Sequence, residues 1–286
     1  MRRLISSALL ASFAAIAAQT AAGGDLPSYT VQEKAAPAPE ALTPRDVISL
    51  LFQTEPGTAP DLSKRELANL DLAELDFKRA NLSGSNLYGA DLSRTNLAGA
   101  NLAGARLDRA KITSADFTGA DLTDARILRP TIFTSLDATK TEAPRFIGAR
   151  LVRLRSDGWL DGTDFSGADL TGAVFGGGHA HEQTLFSPTS LISANFTGAI
   201  LKETKFPSAH LKYARFVDAD LTGANLRGAH LLGADFTRAN LAGTDLTGAN
   251  LDGADLRTAH NLDKVIGLKD ALNVDTARIA GKNPSP

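Results

Sequence analysis

From Leu62 onward an apolar residue recurs at every fifth position, through Leu67, Leu72, Phe77, Leu82 and Leu87 to Ile132, fifteen in all. Four more follow at Leu160, Phe165, Leu170 and Phe175, and a last fifteen run from Phe186 to Leu256. These 34 sites hold 22 Leu, nine Phe and three Ile. Two residues before each lies a second constrained site, which is Ala in 21 cases and Ala, Ser, Thr or Gly in 29. An α-helix cannot use this period. Its stripe would wind around the axis by roughly 140° per repeat, leaving no face to bury. The two-residue alternation of a half-buried strand fails as well.

The unit reads A-(D/N)-L-x-x, as in Ala90-Asp91-Leu92-Ser93-Arg94, Ala100-Asn101-Leu102-Ala103-Gly104 and Ala224-Asn225-Leu226-Arg227-Gly228. Between residues 60 and 260 this pattern is closely similar to the pentapeptide-repeat family. The resemblance implies an all-β chain, a right-handed quadrilateral parallel β-helix with short helical caps. Four pentads would form one square coil, with the Leu or Phe and the small residue two before it pointing in. A corner turns too tightly for two large inward groups, so one must be small. Coils would stack at about 4.8 Å, each covering only its neighbours. Roughly nine coils then give a rod about 40 Å long. Residues 20 apart should lie above one another: Phe196, Phe216 and Phe236 in one inner stack, Phe186 and Phe206 in another, and Leu191, Leu211, Leu231 and Leu251 in a third.

Terminal coils need caps, because a solenoid end exposes core and strand edges. The first four small sites are Pro60, Arg65, Leu70 and Leu75, and thus depart from the pattern. Before them, Thr43-Pro44-Arg45-Asp46 combines a hydroxyl cap, Pro at the first helical position and an early acid. A helix over 44–53, within a capping segment 44–59, follows. At the other end the register slips by one at Asn261-Leu262, and 261–286 reads as a second cap and tail. Loops are expected near 133–145, 152–159 and 176–185, with Phe146 and Leu151 as two pentads stranded between the first two.

The N-terminus adds a different expectation. Met1-Arg2-Arg3 precedes an uncharged run from Leu4 to Ala18 and then small residues up to Gly23, the pattern of a secretory signal over 1–22. That run is shorter than the roughly 20 residues a membrane span needs, and no other stretch could cross a bilayer. Residues 23–43 form an Ala- and Pro-rich linker. The expected location is the periplasm or the extracellular space, or the thylakoid lumen in a photosynthetic bacterium.

Composition sharpens this. With 47 Ala and 40 Leu against seven Val and eleven Ile, propensity alone points to helices; register assigns 22 of those Leu and 21 of those Ala to two fixed sites. Absence of Cys excludes a disulfide framework, a thiolate metal site and a Cys nucleophile. A net charge of −2 gives no general attraction for nucleic acid. No phosphate-cradling Gly loop, nucleophile elbow or H-E-x-x-H helix is present, and no cofactor is expected.

Candidate chemistry lies in two places. His179 and His181, with Glu182, carry metal-ligand donor types, and His210 and His230 should stack outward one coil apart. Arg106 and Arg126 are 20 apart, as are Arg109 and Arg129, and Arg150, Arg153 and Arg155 follow; stacked arginines repel unless an anion is near. These residues make an expected interaction face for an anionic ligand, lipid headgroup or acidic protein. The function expected is that of a non-catalytic exported scaffold whose partner is another protein, with homodimerisation through a stack end as a further expectation. The family resemblance also implies an alternative, a DNA mimic that inhibits or protects DNA gyrase. That role needs a strongly acidic surface, which a mixed-charge chain with an arginine column does not offer.

Overall fold

A computed structural model of the chain describes residues 42–55, 58–132, 142–176 and 188–281. The chain divides into two units, Met1–Glu40 and Ala41–Pro286, and all described residues belong to the second. Within it every pentad turns one corner. The turn closes through a bond such as Ala90 N–H to the Leu87 carbonyl, 3.1 Å. Sides this short give one parallel bridge per pentad, such as Asn81 to Asn101, flanked by Leu82 N–H to Asn101 O at 2.7 Å and Asn101 N–H to Ala80 O at 2.9 Å. The bridges line up in four columns, making a four-sided parallel β-helix. The first column runs from Asp61 through Asn81, Asn101 and Asp121 to His260, ten residues and therefore ten coils, one more than the repeat count implies.

The Asp or Asn of each repeat serves its own turn. Asp116 Oδ1 accepts from the Thr118 N–H at 3.0 Å and the Thr118 hydroxyl at 2.5 Å, a local bond these side chains favour in turns. Asn adds a rung between coils: Asn81 Nδ2 donates to Asp61 at 3.0 Å, and Asn101 Nδ2 to Asn81 at 3.3 Å. Inside, Leu191, Leu211, Leu231 and Leu251 are fully buried in one column. The rings of Phe196, Phe216 and Phe236 stack at 5.1 and 4.9 Å. Where Thr replaces Ala at the small site its hydroxyl can find a carbonyl, as Thr204 does on Leu170 and Thr244 on Leu221, both at 2.8 Å, whereas the buried Thr163 and Thr189 hydroxyls have no partner among the described residues.

Residues 152–159 are wall and not loop, contrary to the pattern reading. Strands β1 (Arg126–Ile127), β2 (Arg155–Ser156) and β3 (Val174–Phe175) form a parallel three-stranded sheet in the order β1-β2-β3. Ser156 occupies an inward site that is Leu, Phe or Ile elsewhere, and its hydroxyl donates to Ile127 O at 3.0 Å. Leu154 fills the small site beside it, and both are 2 % exposed. Large and small have changed places, which conserves volume but hides the pentad from an apolar count. Leu160 then follows Ser156 after four residues, so this coil is one residue short and bridges fall 19 apart, as in Arg145 to Asp164.

Two longer interruptions remain. Asp116 bridges Arg145, 29 residues on, and Val174 bridges Lys205, 31 residues on. Consequently Phe206 stacks on Phe175 at 4.9 Å; the expected pairing of Phe206 with Phe186 falls on a residue outside the described ones.

At the N-terminal end α1 (Pro44–Gln53) carries a capping box: Thr43 Oγ1 accepts from Asp46 N–H at 3.3 Å and Asp46 Oδ2 accepts from Thr43 N–H at 2.8 Å. Its Val47 is fully buried in the core of the first coils, with Leu51 packed against it. At the C-terminal end 3-10 turns at Leu262–Lys264 and Leu268–Asp270 each insert extra residues. Bridge spacing grows through 21 (Asp245 to Ile266) and 22 (Asn250 to Leu272) to 23 (Asp255 to Arg278).

Candidate functional site

Arg106, Arg126 and Arg155 follow one another in the second column, paired coil to coil. The sequence spacing places the first two; the third joins them because nine extra residues precede it. Arg109 (φ 59) and Arg129 (φ 51) sit at the next corner of the same coils in left-handed conformation. Between Arg106 and Arg126 lies Asp108, 4 % exposed. Its Oδ2 accepts from Arg106 Nε at 2.9 Å and Arg126 Nη2 at 2.8 Å, while Oδ1 accepts from the Leu128 N–H at 3.2 Å. Tyr88 lies 20 residues before Asp108 and offers its ring to Arg106 at 5.0 Å and Arg109 at 5.9 Å. These groups, with Arg129 and Asp157, surround a cleft of about 190 Å³.

Arg150 and Arg153 do not join this face. Arg150 stands in the first column between Asp121 and Asp169. Arg153 forks onto Asp124 at 2.6 and 2.5 Å, and this bond, more than the charge itself, holds the Asp124 carboxyl below its usual value. Arg150 is one pentad, a quarter of a coil, before Arg155, and Arg153 is at the left-handed corner between them. Tyr88 was not singled out from the sequence, although positions 88, 108 and 128 share the 20-residue spacing; outward positions carry no hydrophobic pattern to draw attention.

The histidine pair is where spacing puts it. His210 and His230 are bridged neighbours with ring centroids 4.9 Å apart and planes tilted by 56°. Burial first, then the charges of His230 and Lys212, push His210 below its usual value against the opposite pull of Asp161. Among the described residues no three His, Asp or Glu side chains converge to hold a metal. His179, His181 and Glu182 lie outside the described residues. No helix among the described residues is long and apolar enough to cross a membrane.

A family model for pentapeptide repeats matches the sequence in eight copies, over residues 61–97, 90–127, 156–178, 189–228 and 219–257, together more than half of the chain. Among solved structures, HetL, a pentapeptide repeat protein involved in heterocyst differentiation regulation from the cyanobacterium Nostoc sp. strain PCC 7120, is 24 % identical. The match covers 85 % of this chain and 100 % of that one, with a TM-score of 0.31. Rfr23 from the cyanobacterium Cyanothece 51142 is 27 % identical over 42 % of this chain and 90 % of its own, TM-score 0.24. Full-length QnrB1, a plasmid-mediated fluoroquinolone resistance protein, is 18 % identical over 73 % and 90 %, TM-score 0.22. No curated protein matches the chain.

Proposed function

The chain belongs to the pentapeptide-repeat family, whose members fold as right-handed quadrilateral β-helices, and on that premise we propose that it is a non-catalytic exported scaffold that recognises another protein through the outward faces of its coils. The inward pair of each repeat is consumed by the core and the Asp or Asn by its turn. Recognition is left to the remaining outward positions, which the frame holds at fixed spacing. The observation that supports this reading is the arginine column. Two other outward arginines each pair with their own acid of the adjoining coil, Arg238 with Asp218 and Arg153 with Asp124. Arg106 and Arg126 share a single one.

Export is part of the proposal and rests on the basic, apolar and small-residue order of residues 1–22; N-terminal sequencing of the protein from its host should begin at or near Gly23. The interaction itself is tested by affinity capture from the host envelope fraction, with Arg106→Ser/Arg126→Ser as control. A partner retained by the native face and lost by the variant is expected. Identical capture by both would remove the arginine face from this reading.

A further inference from the structure

Guanidiniums on successive coils stand about 4.8 Å apart, close enough to repel unless an anion lies between them. Asp108 supplies one such anion, but its two oxygens already take three donors, from Arg106, Arg126 and the Leu128 backbone. Around it Arg106, Arg109 and Arg126 bring three positive charges against one buried carboxylate; Arg129 and Asp157 add one charge of each sign. The Asp157 carboxylate is engaged by the Arg129 N–H at 2.6 Å.

Each guanidinium carries five N–H donors in a planar fork, and Asp108 uses one from Arg106 and one from Arg126. The Nε–H of Arg126 is buried with no hydrogen-bond partner. The Tyr88 ring lies within cation–π reach of the Arg106 and Arg109 guanidiniums, at 5.0 and 5.9 Å, which limits their motion. The cleft is therefore pre-organised, cationic and rich in donors, and about 190 Å³ suits a tetrahedral oxyanion and not a peptide segment. The donors that Arg106 and Arg126 do not spend on Asp108, with those of Arg109 on the same cleft, suit the bidentate recognition of phosphate oxygens.

We infer that this cleft binds a phosphate group, as the free ion or as a small phosphate monoester. The inference deepens the proposed interaction face by giving it a ligand chemistry, yet the two fail separately. Phosphate bound by a protein that captures no partner would leave the site standing and remove the face.

The test is isothermal titration of the full chain with inorganic phosphate and, in a parallel arm, glycerol 3-phosphate, against sodium chloride at matched ionic strength. Saturable binding with Kd below about 1 mM is expected, tighter near pH 7.5 than near pH 5.5 because the second proton of a phosphate monoester leaves at about pH 6 and that of the free ion somewhat higher. Arg126→Gln should weaken it at least about tenfold. Arg109→Asn should weaken it too, and it keeps a residue suited to φ 59, so that loss of fold cannot account for the result. Binding in only one arm assigns the free ion or the ester. Heats reproduced by chloride, no saturation up to about 10 mM, or affinity unchanged by both substitutions would overturn the site.

Discussion

Phe175 and Phe206 lie 31 residues apart in the chain, yet their rings stack with centroids 4.9 Å apart and planes 11° from parallel. The neighbouring column behaves alike: Phe117, Phe146, Phe165, Phe196, Phe216 and Phe236 stack in succession at 4.6 to 5.2 Å. Core register thus survives every irregularity of chain spacing. Phe196 touches ring neighbours above and below and the Phe206 edge at 5.8 Å. Phe196→Ala should cost about 3–5 kcal/mol. Phe52→Ala, at a side chain 86 % exposed on α1, should stay within about 0.5 kcal/mol. Urea unfolding of the two variants provides the comparison.

Glycines at the corners are not equivalent. Gly104 (φ 68) has nothing within 4 Å of where a Cβ would stand, whereas at Gly267 (φ 69) a Cβ would come within 2.7 Å of the Thr247 Cα. Gly104→Ala bears only the left-handed backbone penalty, about 1–2 kcal/mol. Gly267→Ala adds a collision with backbone and should exceed it by at least about 1 kcal/mol. Thermal unfolding midpoints would rank them, and equal midpoints would refute the steric account.

Asp108→Asn keeps the shape of the side chain and removes the charge that Arg106 and Arg126 share. A loss of about 1.5–3 kcal/mol is expected, the range for hydrogen bonds to charged groups. It should shrink as salt screens the two guanidiniums. Denaturation in low and high sodium chloride reads both effects; a loss independent of salt would show that repulsion is not its source.

The histidine pair sets a pH dependence. Burial and the neighbouring charges hold His210 low when folded, while the unfolded side chain titrates at about 6.5. On acidification the unfolded chain therefore takes its proton first. The stabilising contribution is complete above about pH 6.5 and is lost as pH falls through the lower folded value. The carboxylates act in another window. For Asp116, burial raises the value, but the Thr118 hydroxyl and N–H and the Arg145 charge outweigh it and leave it low. Its contribution persists until pH drops below about 4. His210→Asn removes the titrating group and should flatten the melting temperature between about pH 7.5 and 5.5; an unchanged slope would place the titration elsewhere.

Much of this was readable from spacing. The column from Leu191 to Leu251 and the pairing of Arg106 with Arg126 follow from a period that no residue breaks. The exchange of Leu154 and Ser156 was not readable, because an apolar count stops at a serine even when the volume of the pair is conserved. Nor was the stacking of Arg155 on Arg126, since the length of an interruption does not tell which column the chain rejoins. For the same reason Arg150 and Arg153 were grouped with a face they do not share. Tyr88 escaped notice because the outward positions have no periodic chemistry; only their height in the stack relates them.

Thr131 and Glu142 flank the first interruption, and their carbonyls accept from Ile112 and Ser114, two residues apart in one coil. At the second, the Gly176 and Ser190 N–H groups donate to Ser156 and Gly158, again two apart. Whatever lies between departs from and returns to one address, and closing it becomes costlier only as the logarithm of its length. A corner segment of another length placed there should therefore leave the register of the coils that follow unchanged.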